Sequence, residues 1–243
     1  MERPQSLSVV MALYNERAHL PEALPALEAF LRQREIDYEL VIVESGSTDG
    51  SGELLDQLAA GNSRMTVIHE GARRGFGSGL RLGLQRARKP AVMYVDVDLC
   101  LSTLSLVPPA LAMLEEFDVV IGQRIGPRES ATRRIGSAVY NRVLGTALGL
   151  GGVRDINCSF KMFRRAALER FDLQANGWFI DAEILSEAKR QGCRIGMVAV
   201  PYRFRTAGAS TVHLGYATTG QIIDELIGYW RRRVAAGSVQ RIR

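Results

Sequence analysis

Cysteine is scarce in this sequence. Its three thiols, Cys100, Cys158 and Cys193, show no paired spacing, which excludes a disulfide framework and points to a reduced, cytoplasmic setting. No stretch of about 20 apolar residues occurs, so no transmembrane helix is expected; the longest uncharged run near the middle, Val143 to Val153, is too short and too rich in glycine. The beginning does not read as a signal peptide, because only a short apolar run separates Glu2-Arg3 from Tyr14-Asn15-Glu16. A surface of one charge is missing too. The formal net charge is +5, but Arg231, Arg232, Arg233, Arg241 and Arg243 lie in the last segment; without them 26 basic residues balance 26 acidic ones. That excludes a nucleic-acid footprint and leaves a neutral globule with a basic tail. Repeats, linkers and low-complexity segments are absent as well.

What is present is an ordinary globular composition, 47% hydrophobic and 23% charged over 243 residues, which suits one domain or two halves sharing a core. The apolar segments 7–13, 38–43, 65–68 and 91–95 read as strands. Helical spacing of Leu20, Leu24, Leu27 and Leu31 predicts a helix over 16–33. Turn residues 46–50 lead into a second helix, and glycines 71, 75, 77 and 79 open a third that runs to about Arg88. A helix over 103–116 and a strand over 119–121 follow. The alternation predicts an α/β fold with a mainly parallel sheet covered on both faces. Ligands on such sheets bind beyond the carboxyl ends of the strands. Tyr14 to Glu16, Glu44 to Ser47 and Asp96 to Asp98 are placed there. The second half is less regular, with an arginine-rich stretch over 124–142, a glycine-rich patch over 145–152, a helix near 180–191 and a strand over 194–200.

Asp96-Val97-Asp98 follows an apolar strand. Residues i and i+2 of a strand share a face, so both carboxylates are expected at one site, where hard oxygen ligands suit Mg²⁺ or Mn²⁺. The bland alternative is a pair of solvated turn aspartates. Gly75-Phe76-Gly77-Ser78-Gly79 looks like a dinucleotide fingerprint but fails as one: Leu80 stands at the third glycine, and the loop follows the third strand. Glycine backbone that approaches a diphosphate remains open, as does a loop that only lets a helix pack closely.

Taken together, Tyr14-Asn15-Glu16, Glu44-Ser45-Gly46-Ser47-Thr48-Asp49-Gly50, the glycine loop over 75–83 and Asp96-Val97-Asp98-Leu99 resemble glycosyltransferase family 2. Ile121-Gly122-Gln123-Arg124, the stretch Asp155 to Arg165, Phe179-Ile180-Asp181-Ala182-Glu183-Ile184-Leu185, Val200-Pro201 and Gly208 to Val212 resemble the dolichol- or polyprenyl-phosphate sugar synthase branch. The resemblance covers about residues 7–213. It implies a GT-A (Rossmann-like) fold and inverting transfer from a nucleotide-diphosphate sugar to a polyprenyl phosphate on the cytoplasmic face of a membrane, assisted by Mg²⁺ or Mn²⁺. It implies a single GT-A domain over 1–215, with a nucleotide-binding half (1–100) and an acceptor half (101–215), followed by a helix and basic tail over 216–243. Carried over, Ala12, Tyr14, Glu16, Glu44, Gly75 and Asp96 bind the nucleotide, Glu44 contacting base or ribose. Asp96 and Asp98 hold the metal.

Departures from the family pattern include Glu44 and Ser45 in place of aspartates, Arg73 in place of asparagine, Ala12 in place of proline, and Cys100 where a glutamine is usual near the metal. A thiol is a poor Mg²⁺ ligand, so fewer side-chain ligands are expected. Arg124, Arg133, Arg134 and Arg205 are candidates to balance the leaving diphosphate or the acceptor phosphate; for Arg133 and Arg134 a solvated helix face is the alternative. Asp181 is a general base if the acceptor is a hydroxyl, and a positioning group if it is an already ionised phosphate. Glu183 reads as structural, and His19, His69 and His213 are given no role. Ile222, Ile223, Leu226, Ile227 and Trp230 form an apolar stripe beside Arg231-Arg232-Arg233, which suits an amphipathic helix lying on an anionic membrane. Two further readings stay open: the same donor with a hydroxyl acceptor, and a non-catalytic nucleotide-sugar-binding subunit at the membrane.

Overall fold

The computed structural model describes residues 5–126, 131–201 and 216–240, with side chains described except at 131–135, 216–219 and 235–240. Strand β1 (Ser6–Leu13) sits at the centre and shows why the sheet is covered on both faces. Leu7, Val9, Met11 and Leu13 alternate with Val10 and Ala12, and both sets are buried. The first set packs on α1 (Leu20–Gln33), α2 (Ser51–Ala59), α4 (Val97–Thr103) and α5 (Val107–Met113). The second set packs on α3 (Phe76–Arg86), α6 (Ala131–Ala147), α8 (Ile180–Arg190) and α9 (Tyr216–Gln240).

The remaining strands are β2 (Asp37–Glu44), β3 (Met65–His69), β4 (Ala91–Tyr94), β5 (Val119–Ile125), β6 (Lys161–Arg164) and β7 (Ile195–Pro201), with the short α7 (Arg165–Leu168) after β6. The sheet order is β3-β2-β1-β4-β6-β5-β7. Strand β6 runs antiparallel between β4 and β5, while the other described pairings are parallel.

Three elements differ from the sequence expectation. Helix α1 begins at Leu20 instead of 16, because residues 15–17 are bonded to the turn after β2. The helix expected over 103–116 is a 3₁₀ turn, Leu104–Leu106, which joins the end of α4 to the shorter α5. Pro108 explains the break: it lacks an N–H and is tolerated only in a first turn, which it occupies in α5. Finally, the arginine- and glycine-rich stretch forms α6, anchored by the buried Leu144.

The glycine loop is packed against the loop before α8. A Cβ on Gly77 would lie 2.6 Å from the carbonyl oxygen of Ala175 and 2.7 Å from that of Gly177. The Ser78 amide donates to the Asn176 carbonyl at 3.1 Å. Because backbone, not a flexible side chain, fills the space, Gly77→Ala should cost about 1–3 kcal/mol. Gly145→Ala, in α6 with nothing within 4 Å, should be neutral or stabilising by about 0.5–1 kcal/mol. Urea unfolding of both variants checks the contrast, and equal midpoints would refute the close packing.

Candidate active site

The loops at the carboxyl edge of the sheet hold one another. Asn15 takes a left-handed conformation, φ 56°, which asparagine tolerates better than most residues. Its amide donates to Ser47 Oγ at 2.9 Å, and its Oδ1 accepts from the Thr48 amide at 2.8 Å. The amides of Glu16 and Arg17 donate to Ser51 Oγ at 3.1 Å and Asp49 Oδ2 at 3.0 Å. Much of the motif after β2 is therefore spent on building the rim. Tyr14 stays half-buried beneath the Arg73 guanidinium, 4.3 Å from its ring centre.

Strand alternation divides the next carboxylates between the two faces. Glu44 and His69 are register partners, and both turn toward α2. Glu44 accepts from the Ser47 amide and lies 3.2 Å from His69 Nδ1, while His69 Nε2 is 2.9 Å from Asp56 Oδ1. Burial pushes the Glu44 carboxyl up, but the Ser47 and Gly46 donors and His69 outweigh it, so it stays below its ordinary value. Glu44 is thus held within the protein by the Ser47 amide and His69. The following pair, Ser45 and Glu70, points to the opposite face, where Ser45 Oγ donates to Glu70 Oε2 at 2.6 Å.

Asp96 and Asp98 come together by a different geometry from the one expected. Strand β4 ends at Tyr94, Asp96 is the N-cap of α4, and Asp98 lies in the first turn of that helix. Asp96 Oδ1 is buried without a hydrogen-bond partner. Burial first, then the charge of Asp98, pushes the Asp96 carboxyl up to about 7, with smaller contributions from Asp181 and Glu16. An orphaned carboxylate oxygen beside a second carboxylate fits a divalent cation. Among the described residues no group of three His, Cys, Asp or Glu side chains is arranged to hold a metal. Cys100 takes no part: it is a core residue whose thiol burial pushes up to about 12.

Asp181 opens α8 and is buried against Lys161, a fully buried lysine on β6. Lys161 Nζ donates to Asp181 Oδ1 at 2.5 Å and to the Cys158 carbonyl at 2.6 Å, and lies 5.5 Å from the centre of the Tyr94 ring. Burial raises the Asp181 carboxyl, and Lys161 opposes the rise. Arg124 is likewise committed. Its Nε and a terminal nitrogen each donate to Asp155 at 2.7 Å, so the expected countercharge for a diphosphate is already balanced inside the protein. In the sequence Lys161 and Asp155 stand only within the motif-like stretch Asp155 to Arg165, and their pairing with Asp181 and Arg124 has no local signal.

The loop before α8 carries Trp178, which stacks on Phe76 of α3 with ring centres 4.9 Å apart. Helix α9 fixes this loop. Glu225 Oε1 accepts from the amides of Asn176 at 2.9 Å and Gly177 at 2.6 Å. Arg232 donates to the buried Glu183 at 2.9 Å, and Arg233 pairs with the buried Glu187. Glu183 also accepts from the amides of Gln174 at 2.9 Å and Ala175 at 2.7 Å. The apolar stripe is not single: Ile222, Leu226 and Tyr229 face the core, whereas Ile223, Ile227, Trp230 and Val234 are exposed. Two of the arginines expected to meet a membrane are thus paired inside the protein. The side chains of Arg133 and Arg134, on the first turn of α6, lie outside the described residues, as do Arg205, His213 and the segment Gly208 to Val212.

Two predictions follow from these pairs. Lys161→Met strands a buried carboxylate and should cost about 3–5 kcal/mol, most of it recovered in the double variant Lys161→Met/Asp181→Leu; urea unfolding of the single and double variants gives both numbers. His69 is raised chiefly by its bond to Asp56, then by Glu44, against burial. Its stabilisation is complete below the free value of about 6.5 and is lost as pH rises through the raised folded value. Melting temperature should therefore fall with rising pH in that window, and His69→Gln should flatten the slope; parallel curves would contradict the assignment.

Similar proteins share this arrangement of sequence and fold. Residues 8–171 match the profile of Glycosyl transferase family 2. The chain is 30% identical over 247 residues to Glycosyltransferase AglD of Haloferax volcanii, covering 97% of this chain and 39% of that protein. It is 32% identical over 165 residues to the undecaprenyl-phosphate 4-deoxy-4-formamido-L-arabinose transferase of Pseudomonas paraeruginosa, covering 67% of this chain and 48% of that one. The chain thus spans half or less of the length of these two relatives. Among solved structures, glucosyl-3-phosphoglycerate synthase from Mycobacterium tuberculosis, in complex with Mn²⁺, UDP-glucose and phosphoglyceric acid, superposes with a TM-score of 0.72 at 22% identity, over 92% of this chain and 79% of that one. With the family profile matched over most of its length, the chain belongs to glycosyltransferase family 2.

Proposed function

We propose that this chain transfers a sugar, with inversion, from a nucleotide-diphosphate sugar to a polyprenyl phosphate at the cytoplasmic surface of a membrane. The observation that carries the reading is the orphaned Asp96 oxygen beside Asp98, at the edge of the sheet where the glycine loop and the loop before α8 meet. The names of the relatives support the acceptor class, since they include undecaprenyl-phosphate and dolichyl-phosphate sugar transferases.

Breaking the sugar–phosphate bond puts negative charge on the leaving diphosphate. A divalent cation, Mg²⁺ or Mn²⁺, held by Asp96 and Asp98 would supply countercharge. The chain contributes the rest. Gly75 and Gly77 let their loop pack closely on residues 175–177, Tyr14 and Ala12 wall the nucleoside, and Glu16 lies near enough to Asp96 to raise its carboxyl. Asp181 is paired with Lys161, so its carboxylate is held in place instead of standing free as a base. That favours an acceptor that arrives ionised, which a phosphate does. Asp181 then acts as a positioning group. Arg133, Arg134 and Arg205 are the proposed partners of the acceptor phosphate, because Arg124 is committed to Asp155.

No described helix is long and apolar enough to cross a membrane. The proposed membrane contact is the outer face of α9, where Ile227, Trp230, Arg231 and Val234 line a shallow apolar depression. Replacing Ile223, Ile227, Trp230 and Val234 with serine should reduce co-sedimentation with anionic liposomes. It should slow transfer to a long polyprenyl phosphate while sparing a short soluble acceptor phosphate; unchanged sedimentation would refute the contact.

The reaction itself is tested by incubating the chain with Mn²⁺ or Mg²⁺, a panel of nucleotide sugars, and either undecaprenyl phosphate or a hydroxyl acceptor. A glycolipid of inverted anomeric configuration is expected with the phosphate. Asp98→Ala should lower the rate about 10²-fold or more without loss of fold. Product with the hydroxyl acceptor alone would overturn the acceptor assignment.

A further inference from the structure

The side of the sheet that carries Ala12 and Tyr14 also carries a carboxylate that the motif pattern does not mark. Side chains alternate along a strand, and paired residues of neighbouring parallel strands share a face. Val10 and Ala12 of β1 and Val43 of β2 face α3, as the close approach of Gly83 to Val10 and Val43 shows. The next outward positions on that face are Tyr14, Ser45 and Glu70. Backbone pairing carries on past β3, with the Glu70 amide donating to the Glu44 carbonyl at 2.9 Å, so Glu70 is held in register. Its Oε2 accepts from Ser45 Oγ at 2.6 Å and its Oε1 from Ser78 Oγ at 2.7 Å. A Cβ on Gly79 would lie 3.0 Å from Ser45 Oγ, 3.2 Å from Glu70 Oε2 and 3.4 Å from Ala12 Cβ. The carboxylate, the hydroxyl and the methyl group thus converge where β1, β2 and α3 meet.

Glu44 and Glu70 differ in what they have left to offer. Glu44 is buried, and its acceptor capacity is taken up by Gly46, Ser47 and His69. Glu70 is half-buried and accepts one hydroxyl on each oxygen; an ionised carboxylate has about four acceptor sites. Two hydroxyls fix its orientation and leave lone pairs for a ligand. Ser45, small and itself a donor, makes room for this carboxylate at the end of β2.

We propose that Glu70, oriented by Ser45 and Ser78, is the specificity-determining carboxylate that reads the base of the nucleotide donor. This rests on the nucleotide-sugar reading above. A carboxylate only accepts. It matches a base whose ring nitrogen carries a hydrogen, as in uracil or guanine; cytosine and adenine offer an exocyclic amino hydrogen, but beside it a ring-nitrogen lone pair that repels the second carboxylate oxygen. A mismatched base leaves the charge facing a lone pair, which a hydrogen-bonding site rejects strongly.

The test is calorimetric titration of the full chain with UDP, GDP, CDP and ADP in the presence of Mn²⁺. Wild type should bind UDP or GDP at least about 10-fold more tightly than CDP or ADP. Glu70→Gln keeps the size, supplies a donor, and should erase most of that ratio, with a melting curve confirming the fold. Ser78→Ala, which only loosens the carboxylate, should narrow the ratio by a smaller factor, and serves if Glu70→Gln does not fold. A preference for CDP or ADP in wild type, or an unaltered ratio in the folded Glu70→Gln variant, would overturn the assignment of Glu70. Failure of wild type to bind any of the four would instead overturn the donor reading on which it stands.

Discussion

A lysine ammonium without solvent contact lies beneath the site, and the second half of the molecule is arranged around it. Lys161 comes from the antiparallel strand β6, Asp181 from the start of α8, the Cys158 carbonyl from the loop between α6 and β6, and the Tyr94 ring from the end of β4. Removing either charge leaves the other buried and unpaired, which is far costlier than the net worth of the pair. The pair therefore constrains where α8 begins, and with it where the loop carrying Trp178 lies. It also fixes the Asp181 carboxylate, which accepts from the buried ammonium instead of standing free.

A second constraint joins the donor side to the far end of the chain. The glycine loop over 75–79 touches residues 175–177 backbone to backbone, and Glu225 caps two amides of that same segment. Arg232 and Arg233 close the contact on Glu183 and Glu187. Helix α9 thus acts on the site through its inner face while its outer face stays exposed. That division explains why a tail rich in arginine contributes less to a basic surface than its composition suggests.

Continuous apolar runs and helical leucine spacing made β1 to β4 and α1 legible in the sequence, because β1 and β4 are buried on both faces and α1 buries a regular stripe. The second half was less legible. β6 has only four residues and a lysine at its start, so its burial depends on a partner 20 residues away that no local pattern reveals. α6 carries Gly136, Gly145 and arginines that blur its spacing. At the site, Asp96 and Asp98 were legible as a pair but not as an N-cap and a first helical turn, since one more residue of strand would have given the same sequence pattern. Glu44 was legible as a motif position, but its pairing with His69 on the next strand was not, because the two are distant in sequence. Glu70 gave no signal, since it matters only through Ser45 and Ser78, distant in sequence.

The central claim is that a nucleotide diphosphate and its cation sit at the carboxyl edge of the sheet, between Asp96 and the glycine loop. A crystal structure of the chain with Mn²⁺ and a nucleotide diphosphate, with manganese located by its anomalous scattering, tests this directly. The account predicts manganese bound to the carboxylates of Asp96 and Asp98 and to diphosphate oxygens, with the base on the side of Ala12 and Tyr14. Manganese and nucleotide bound elsewhere, with Asp96 Oδ1 still unpartnered, would contradict it.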